Sequence, residues 1–137
     1  QGLDEPSAAA VSRFFWICLG GAAGTGARYL LSGWALAALG VGFPYGTLAV
    51  NVLGSFCVGL LMQVGVATPL MSPTLRLALT TGVMGGFTTY STFNYETIRY
   101  VQDGAWRLAL GNVAATLVAC LAAGFAGLAL GRSILGG

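Results

Sequence analysis

The spacing of charged residues constrains this chain more than any other sequence feature. Only 7% of the 137 residues are charged, and all six basic residues are arginines. Long tracts without a charge separate them, at residues 14–27, 29–75, 77–95 and 108–131. A membrane-spanning helix needs about 20 predominantly apolar residues, and 56% of this chain is apolar. The sequence therefore predicts an all-α integral membrane protein that crosses the bilayer several times.

Turn-forming residues divide the chain into four predicted transmembrane helices. Glycine and proline mark residues 42–46 and 68–73, and a further turn signal lies at residues 102–104. The predicted spans run from about Phe14 to Leu39, Gly46 to Ala67, Thr74 to Val101 and Trp106 to Gly131. We expect one transmembrane domain at residues 13–133, between a polar N-terminal tail at 1–12 and a short C-terminal tail at 134–137.

The composition excludes several classes of protein. Histidine and lysine are both absent, which removes imidazole catalysis, Schiff-base chemistry and most zinc sites. A net charge of +2 gives no basic surface for nucleic acid. Cys18, Cys57 and Cys120 are isolated in apolar tracts, as is typical of buried free thiols. Since no nucleophile–base pair or metal cluster is visible, we do not expect an enzyme.

The third predicted span contains a segment that disfavours a continuous helix. Residues 80–96 read TTGVMGGFTTYSTFNYE, in which paired glycines precede five consecutive hydroxyl residues. Glycine is about 1 kcal/mol poorer than alanine in a helix, and serine and threonine compete for backbone hydrogen bonds. We predict a break near residues 85–89. Irregular backbone at membrane depth must be buried in protein or line a polar cavity, which favours an ion site; a helix only softened by glycine is the alternative.

Polar side chains recur one helical turn apart on the second and fourth spans. The two stripes consist of Thr47, Asn51 and Ser55, and of Asn112, Thr116 and Cys120. Each stripe is open to two interpretations, hydrogen bonding between helices or a polar path for an ion. An amide that faces a pore can donate a hydrogen bond to an anion.

Aromatic rings and two charges surround the predicted break. The four nearby aromatic residues are Phe87, Tyr90, Phe93 and Tyr95. Ring edges carry partial positive charge and can face an anion, whereas core packing is the ordinary role of any one ring. Arg28 and Glu96 lie at membrane depth, where charged side chains are costly and usually face inward or are paired. A structural contact and a role in transport both remain open for Arg28, and Glu96 can also reach the membrane interface.

Pairs of glycines four residues apart provide a further packing signal. They occur at Gly20/Gly24, Gly82/Gly86 and Gly127/Gly131. This spacing lets helices approach closely, either within one chain or at a subunit interface.

The arginines are almost evenly divided between the two predicted sides of the membrane. Arg13, Arg76 and Arg132 share a side with the N-terminus, and Arg99 and Arg107 lie on the other. Such a weak positive-inside bias leads to the hypothesis that the chain inserts in both orientations, which permits an antiparallel dimer.

The motifs of this chain resemble those of the Fluc (CrcB-type) fluoride channels. The similarity rests on residues 46–51 (GTLAVN) with Gly54, and on residues 85–93 (GGFTTYSTF) with Glu96. Gly20, Gly21 and Gly24, followed by Arg28 and Tyr29, fit the same family, and the likeness extends over about residues 14–131.

The resemblance implies a passive, fluoride-selective channel that exports cytoplasmic fluoride across the bacterial plasma (inner) membrane. It implies two four-helix subunits in an antiparallel homodimer with two pores. By motif position, a central structural sodium ion binds the backbone carbonyls of Gly85 and Thr88 of both subunits. The residues implied on the fluoride path are Asn51, Tyr90, Phe93, Asn112 and Thr116, and the secondary candidates are Thr47, Ser91, Thr92, Arg28, Glu96 and Cys120.

This chain departs from the family pattern at two places. Tyr90 stands where phenylalanine is commoner, so that its hydroxyl group as well as its ring edge is available to an ion. The fourth-span stripe is Asn, Thr and Cys rather than Tyr, Ser and Ser.

Two other functions suit a short four-helix membrane protein. A small dual-topology drug–proton antiporter needs a carboxylate in its first span, where this chain carries only Arg28. A non-transporting membrane subunit would explain the hydrophobicity but not the clustered glycines and hydroxyls of the third span.

Overall fold

Helices form all the regular structure in residues 5–136, which are the residues that the computed structural model describes. The elements are α1 (Ala8–Leu39), α2 (Tyr45–Ala67), α3 (Pro73–Leu77), a π-helical segment (Ala78–Met84), α4 (Gly85–Phe87), α5 (Tyr90–Gln102) and α6 (Trp106–Ile134). The elements from α3 to α5 together make the third crossing of a four-crossing bundle. The all-α class is therefore confirmed for the described residues.

The first and last helices extend slightly beyond the predicted domain bounds of residues 13 and 133, since α1 begins at Ala8 and α6 ends at Ile134. Helix α1 begins at Ala8 because the Ser7 hydroxyl accepts a hydrogen bond from the Ala10 N–H at 3.2 Å, which caps the first turn. Residues 8–12, which belong to the predicted N-terminal tail at residues 1–12, are thus helical. Residues 1–4 and 137, which complete the two predicted tails, lie outside the described residues.

The turns between crossings follow the glycine and proline signals. Gly40 ends α1 with φ of 79°, and Gly104 follows α5 with φ of 71°, which are left-handed conformations that favour glycine. Pro73 occupies the first turn of α3, where its missing N–H is not needed. These turns place Arg13 near the start of α3, where its Nε donates to Thr74 Oγ1 at 3.3 Å. The first and third crossings therefore begin at the same end of the bundle.

Two of the four crossings are long and apolar enough to span a membrane by themselves. These are α2, with 23 residues, and α6, with 29 residues. Helix α1 is longer, at 32 residues, but it carries Arg28, several glycines and several hydroxyl residues. The third crossing is interrupted, and α5 has only 13 residues. Helix α1 packs against α2 and against the first half of the third crossing, and α5 packs against α6.

Neighbouring helices make close contacts at the glycines of the three pairs. A Cβ atom on Gly24 would overlap the Val83 carbonyl, and one on Gly82 would lie 2.7 Å from the Ile17 oxygen, so that α1 and the π-helical segment touch backbone to backbone. Helices α2 and α6 meet in the same way, since a Cβ atom on Gly127 would overlap the Phe56 carbonyl. All three glycine pairs therefore pack within the chain, which confirms the intramolecular interpretation.

The outward surface of the bundle is apolar. Large side chains on several helices are more than half exposed, including Phe15, Trp34, Leu117 and Phe125. The buried core is small by comparison, with Val50, Ala35 and Ala109 among its members. An apolar exterior around a small-residue core is typical of helices that pack in lipid.

Candidate functional site

The third crossing is interrupted at two threonines. Helix α4 ends at Phe87, and Thr88 (φ −87°, ψ 156°) and Thr89 (φ −151°, ψ 107°) have extended backbone. Helix α5 begins at Tyr90, with the Thr89 hydroxyl accepting a hydrogen bond from the Thr92 N–H at 3.2 Å. This two-residue interruption, which we call the break, falls within the segment 85–89 that the sequence indicates.

The break takes helical hydrogen-bond donors away from backbone carbonyls. In a continuous α-helix each carbonyl accepts from the N–H four residues later. The N–H of Thr89, the regular partner of the Gly85 carbonyl, instead donates to Asn51 Oδ1 at 2.7 Å. The N–H of Thr92, the regular partner of the Thr88 carbonyl, donates to Thr89 Oγ1. Gly85 and Thr88 therefore both lose their helical donor.

Asn51 is the side chain that fixes the break from α2. It is only 8% exposed, and its Nδ2 donates to the Thr89 carbonyl at 3.1 Å while its Oδ1 accepts from the Thr89 N–H. The amide thus pairs with both backbone groups of one extended residue, much as a neighbouring strand would. One Nδ2 proton remains beyond these two hydrogen bonds.

A groove of about 770 Å³ lies on one side of the break, between α2, α5 and α6. Its walls are mostly apolar, and they include six of the residues predicted for the site: Asn51, Thr88, Tyr90, Phe93, Thr116 and Cys120. The rings of Tyr90 and Phe93 lie 5.7 Å apart between centroids at an angle of 55°. Tyr90 is 77% exposed, so its ring stands at the open side of the groove.

A second, more polar cavity of about 410 Å³ lies between α1, α2 and α5. Four further predicted residues line it, namely Arg28, Thr47, Thr92 and Glu96. The Thr47 hydroxyl donates to Glu96 Oε1 at 2.7 Å. The other carboxyl oxygen, Oε2, is buried and has no hydrogen-bond partner among the described residues. We refer to this space as the Arg28 cavity.

Three predicted residues line neither space. Gly85 lies in α4, and Ser91 Oγ lies 3.3 Å from Thr89 Oγ1 at the start of α5. Asn112 is 2% exposed, and it bridges α5 and α6 because its Nδ2 donates to Thr97 Oγ1 at 3.0 Å. This contact favours interhelical hydrogen bonding as the role of Asn112, and its place on an ion path stays a prediction.

Three contributors are not among the individual site residues predicted from the sequence, although Thr89 falls in the predicted break and Gly54 in the family motif. Thr89 supplies the cap of α5 and both partners of Asn51, and a threonine just before a helix restart is a usable signal for this role. Gly54 makes room for Thr88, whose Cγ2 would overlap a Cβ atom at residue 54. Thr97 donates to the Phe93 carbonyl at 2.8 Å, one turn earlier in α5.

These features define the class of the protein: a helical membrane protein with one interrupted crossing beside two cavities that contain polar groups. Comparison with known sequences gives the family. The family described as CrcB-like protein, Camphor Resistance (CrcB), matches residues 15–128. The chain belongs to this family, and the resemblance found in its motifs is thereby confirmed.

Several relatives match the chain over most of its length. A protein of Sorangium cellulosum (strain So ce56) is 57% identical over 127 residues, which are 93% of this chain and 100% of the relative. A protein of Anaeromyxobacter dehalogenans (strain 2CP-1 / ATCC BAA-258) is 51% identical over 92% of this chain and 100% of its own length. A protein of Pelobacter propionicus is 46% identical over 88% of this chain and 91% of its own length. Each of these relatives is named a fluoride-specific ion channel FluC.

Proposed function

We propose that this protein is a passive, fluoride-selective channel that carries fluoride out of the cytoplasm across the bacterial inner membrane. The break supports the proposal, because Asn51 lines the groove and holds Thr89. Thr47 and Thr92, which lie within one helical turn of Asn51 and Thr89 along the chain, line the Arg28 cavity. The relatives named fluoride-specific ion channels support the choice of ion. No covalent chemistry is required of the protein.

The groups around the break suit a small, strongly hydrated anion. A fluoride pore must replace the hydration shell with hydrogen-bond donors and hold the ion weakly enough to release it. The remaining Nδ2 proton of Asn51 is such a donor. The hydroxyl group of Thr116 becomes one when its proton turns from Asn112 Oδ1, 3.4 Å away, towards the ion in the groove. The rings of Tyr90 and Phe93 add partly positive edges that need no net charge.

The proposed path runs from the Arg28 cavity past the break into the groove. In the Arg28 cavity the guanidinium group supplies positive charge, while Thr47 holds one oxygen of Glu96. Thr47 and Asn51 are one turn apart on α2, so an ion that leaves the cavity meets Asn51 next. From there Phe93 and then Thr116 and Cys120 continue along the groove.

A second copy of the chain is the proposed cover of the groove. Polar groups and extended backbone at membrane depth do not face lipid, yet the groove that contains Asn51 and Thr88 lies on the side of the bundle. Its apolar rim is exposed at Leu117 (60%), Leu121 (56%) and Phe125 (68%). An antiparallel partner would cover both grooves, and the weak arginine bias fits insertion in both orientations. Two grooves would then give two pores.

The break also fits a structural sodium ion between two subunits. The carbonyls of Gly85 and Thr88 have lost their helical donors, and carbonyl oxygens suit a hard cation. No cluster of three or more histidine, cysteine or acidic residues occurs in residues 5–136, so backbone oxygens are the natural ligands here. Two subunits would supply four such oxygens. A bound cation would also favour anions nearby.

Fluoride tolerance of living cells tests this proposal. Bacteria without fluoride exporters of their own are transformed with the wild-type gene, with an Asn51→Ala variant, or with an Asn94→Ala variant of an exposed asparagine on α5. We expect the wild type and Asn94→Ala to raise the tolerated fluoride concentration, and Asn51→Ala to raise it much less. A wild-type protein that reaches the membrane and gives no protection would contradict the proposal.

A further inference from the structure

Arg28 makes a specific contact with the interrupted crossing. Its Nε donates a hydrogen bond to the Gly86 carbonyl at 2.9 Å. In a continuous helix that carbonyl would accept from the N–H of residue 90, but Thr88 and Thr89 are extended and Tyr90 starts a new helix. Arg28 therefore supplies a donor in place of the one that the break removes.

The glycine contacts of α1 bring Arg28 to this carbonyl. Gly20, Gly24 and Arg28 follow one another at intervals of one helical turn, and so lie on the same side of α1. Gly24 touches the Val83 carbonyl, and a Cβ atom on Gly86 would lie 3.0 Å from the Thr25 N atom. Because the backbones of α1 and the third crossing are in contact here, Arg28 reaches the Gly86 carbonyl with Nε, the guanidinium nitrogen nearest its own backbone. The two terminal nitrogens lie beyond this contact.

The hydrogen bond distinguishes the Gly86 carbonyl from those of Gly85 and Thr88. The Gly86 oxygen is held on the α1 side by Arg28. The Gly85 and Thr88 oxygens have lost their donors to Asn51 and to the Thr89 hydroxyl. A buried carbonyl without any donor costs free energy, so an unheld Gly86 carbonyl would compete with its neighbours for any cation at the break.

We propose that Arg28 is a positioning residue, whose Nε–H fixes the Gly86 carbonyl and so keeps the break in the conformation that frees Gly85 and Thr88. The proposal rests on the proposed function in so far as it gives those two carbonyls an ion to bind. It assigns the role to one N–H group and not to the positive charge of Arg28.

Three substitutions separate the hydrogen bond from the charge. In Arg28→Gln, the side-chain nitrogen is bonded to Cδ as Nε is in arginine, so the donor is kept and the charge is lost. In Arg28→Lys, a methylene group occupies that position, so the charge is kept and the donor is lost. Arg28→Met removes both. Arg13→Met is the matched control on the same helix, because Arg13 is exposed and bonds Thr74 far from the break.

Hydrogen–deuterium exchange of the reconstituted protein measures the conformation of the break without reference to transport. We expect amides in residues 85–95 to exchange about tenfold faster in Arg28→Met and Arg28→Lys than in the wild type, with Arg28→Gln restoring protection. In the Arg28 variants, amide exchange in α2 and α6 should stay at the wild-type rate. In the control Arg13→Met, amide exchange should stay at the wild-type rate in every helix. The same ranking is expected for the sodium concentration that supports half of the maximal fluoride efflux. The efflux rate itself should also fall in Arg28→Gln, because the Arg28 cavity then loses its positive charge.

The opposite ranking would overturn the inference. If Arg28→Lys keeps wild-type protection while Arg28→Gln loses it, the charge and not the Nε hydrogen bond is responsible. Wild-type exchange at the break in Arg28→Met would overturn it as well. A wild-type protein that carries no fluoride would instead contradict the proposed function, and the exchange measurement would still decide whether Arg28 holds the break. If Arg28→Met does not fold, the Gln and Lys variants alone give the decision.

Discussion

Asn51 and Thr89 exchange two hydrogen bonds, from Nδ2 to the Thr89 carbonyl at 3.1 Å and from the Thr89 N–H to Oδ1 at 2.7 Å. A side chain of α2 thereby pairs with the backbone of the third crossing at the residue where that crossing is extended. The contact explains how a break persists in a low-dielectric interior, where unpaired backbone groups are costly. It also gives Asn51 a structural role alongside its proposed role on the ion path.

Removal of the Asn51 amide should damage transport and stability together. In Asn51→Ala the N–H and carbonyl of Thr89 both lose their partner, and each unpaired group costs about 1–3 kcal/mol. We expect fluoride efflux from proteoliposomes to fall at least tenfold and the unfolding temperature to fall. Asn94→Ala is the control, because Asn94 is exposed on α5. Wild-type efflux and stability in Asn51→Ala would contradict the role of this contact.

The glycine contact between α1 and the π-helical segment should tolerate no methyl group. A Cβ atom on Gly24 would overlap the Val83 carbonyl, whereas one on Gly26 would meet nothing within 4 Å. Gly24→Ala should therefore destabilise the protein by about 1–3 kcal/mol, and Gly26→Ala should be nearly neutral. Thermal unfolding of both variants in the same detergent is the measurement. Equal unfolding temperatures for the two variants would show that the helices are not in backbone contact.

Asn112 should matter for the contact between α5 and α6. Its Nδ2 donates to Thr97 Oγ1, and its Oδ1 accepts from Thr116 at 3.4 Å, so Asn112→Ala leaves two hydroxyl groups without this partner. We expect a loss of about 1–3 kcal/mol of stability, with Asn94→Ala as control. A variant that keeps full stability and loses fluoride efflux would show that Asn112 contacts the ion directly.

Both orientations in the membrane should be populated. The arginines are almost evenly divided between the two ends of the bundle, and positive charge is what fixes orientation. We expect C-terminal fusions to give active protein with a cytoplasmic reporter and with a periplasmic reporter. Adding lysines at residues 133–136 should shift the ratio towards one orientation and reduce function unless a copy with the opposite bias is expressed as well. A single orientation of the unmodified chain would rule out an antiparallel dimer.

The four crossings and the position of the interruption could be predicted because each depends on local sequence. Uncharged tracts, turn residues and a glycine-and-hydroxyl segment are all read along the chain. The π-helical segment at Ala78–Met84 could not be predicted in this way. It lies where α1 packs closest, at Gly20 and Gly24, and no local pattern specifies a contact between residues so far apart in sequence.

The two polar stripes illustrate the same limit within the site. Residues four apart on an α-helix differ in direction by about 40° and residues eight apart by about 80°, so one stripe reaches several neighbours. On α2, Thr47 meets Glu96 in the Arg28 cavity while Asn51 meets the break. On α6, Asn112 is buried against Thr97 while Cys120 lines the groove. The spacing identified the polar residues, and only the packing of the bundle assigned their partners.

Fluoride efflux from proteoliposomes tests the central claim most directly. Purified protein is reconstituted in liposomes loaded with potassium fluoride or potassium chloride, and valinomycin starts efflux down the anion gradient while an ion-selective electrode records it. The account predicts rapid loss of fluoride that follows the membrane potential, needs no proton gradient and leaves chloride inside. Fluoride release that requires a proton gradient, or equal release of both anions, would contradict it.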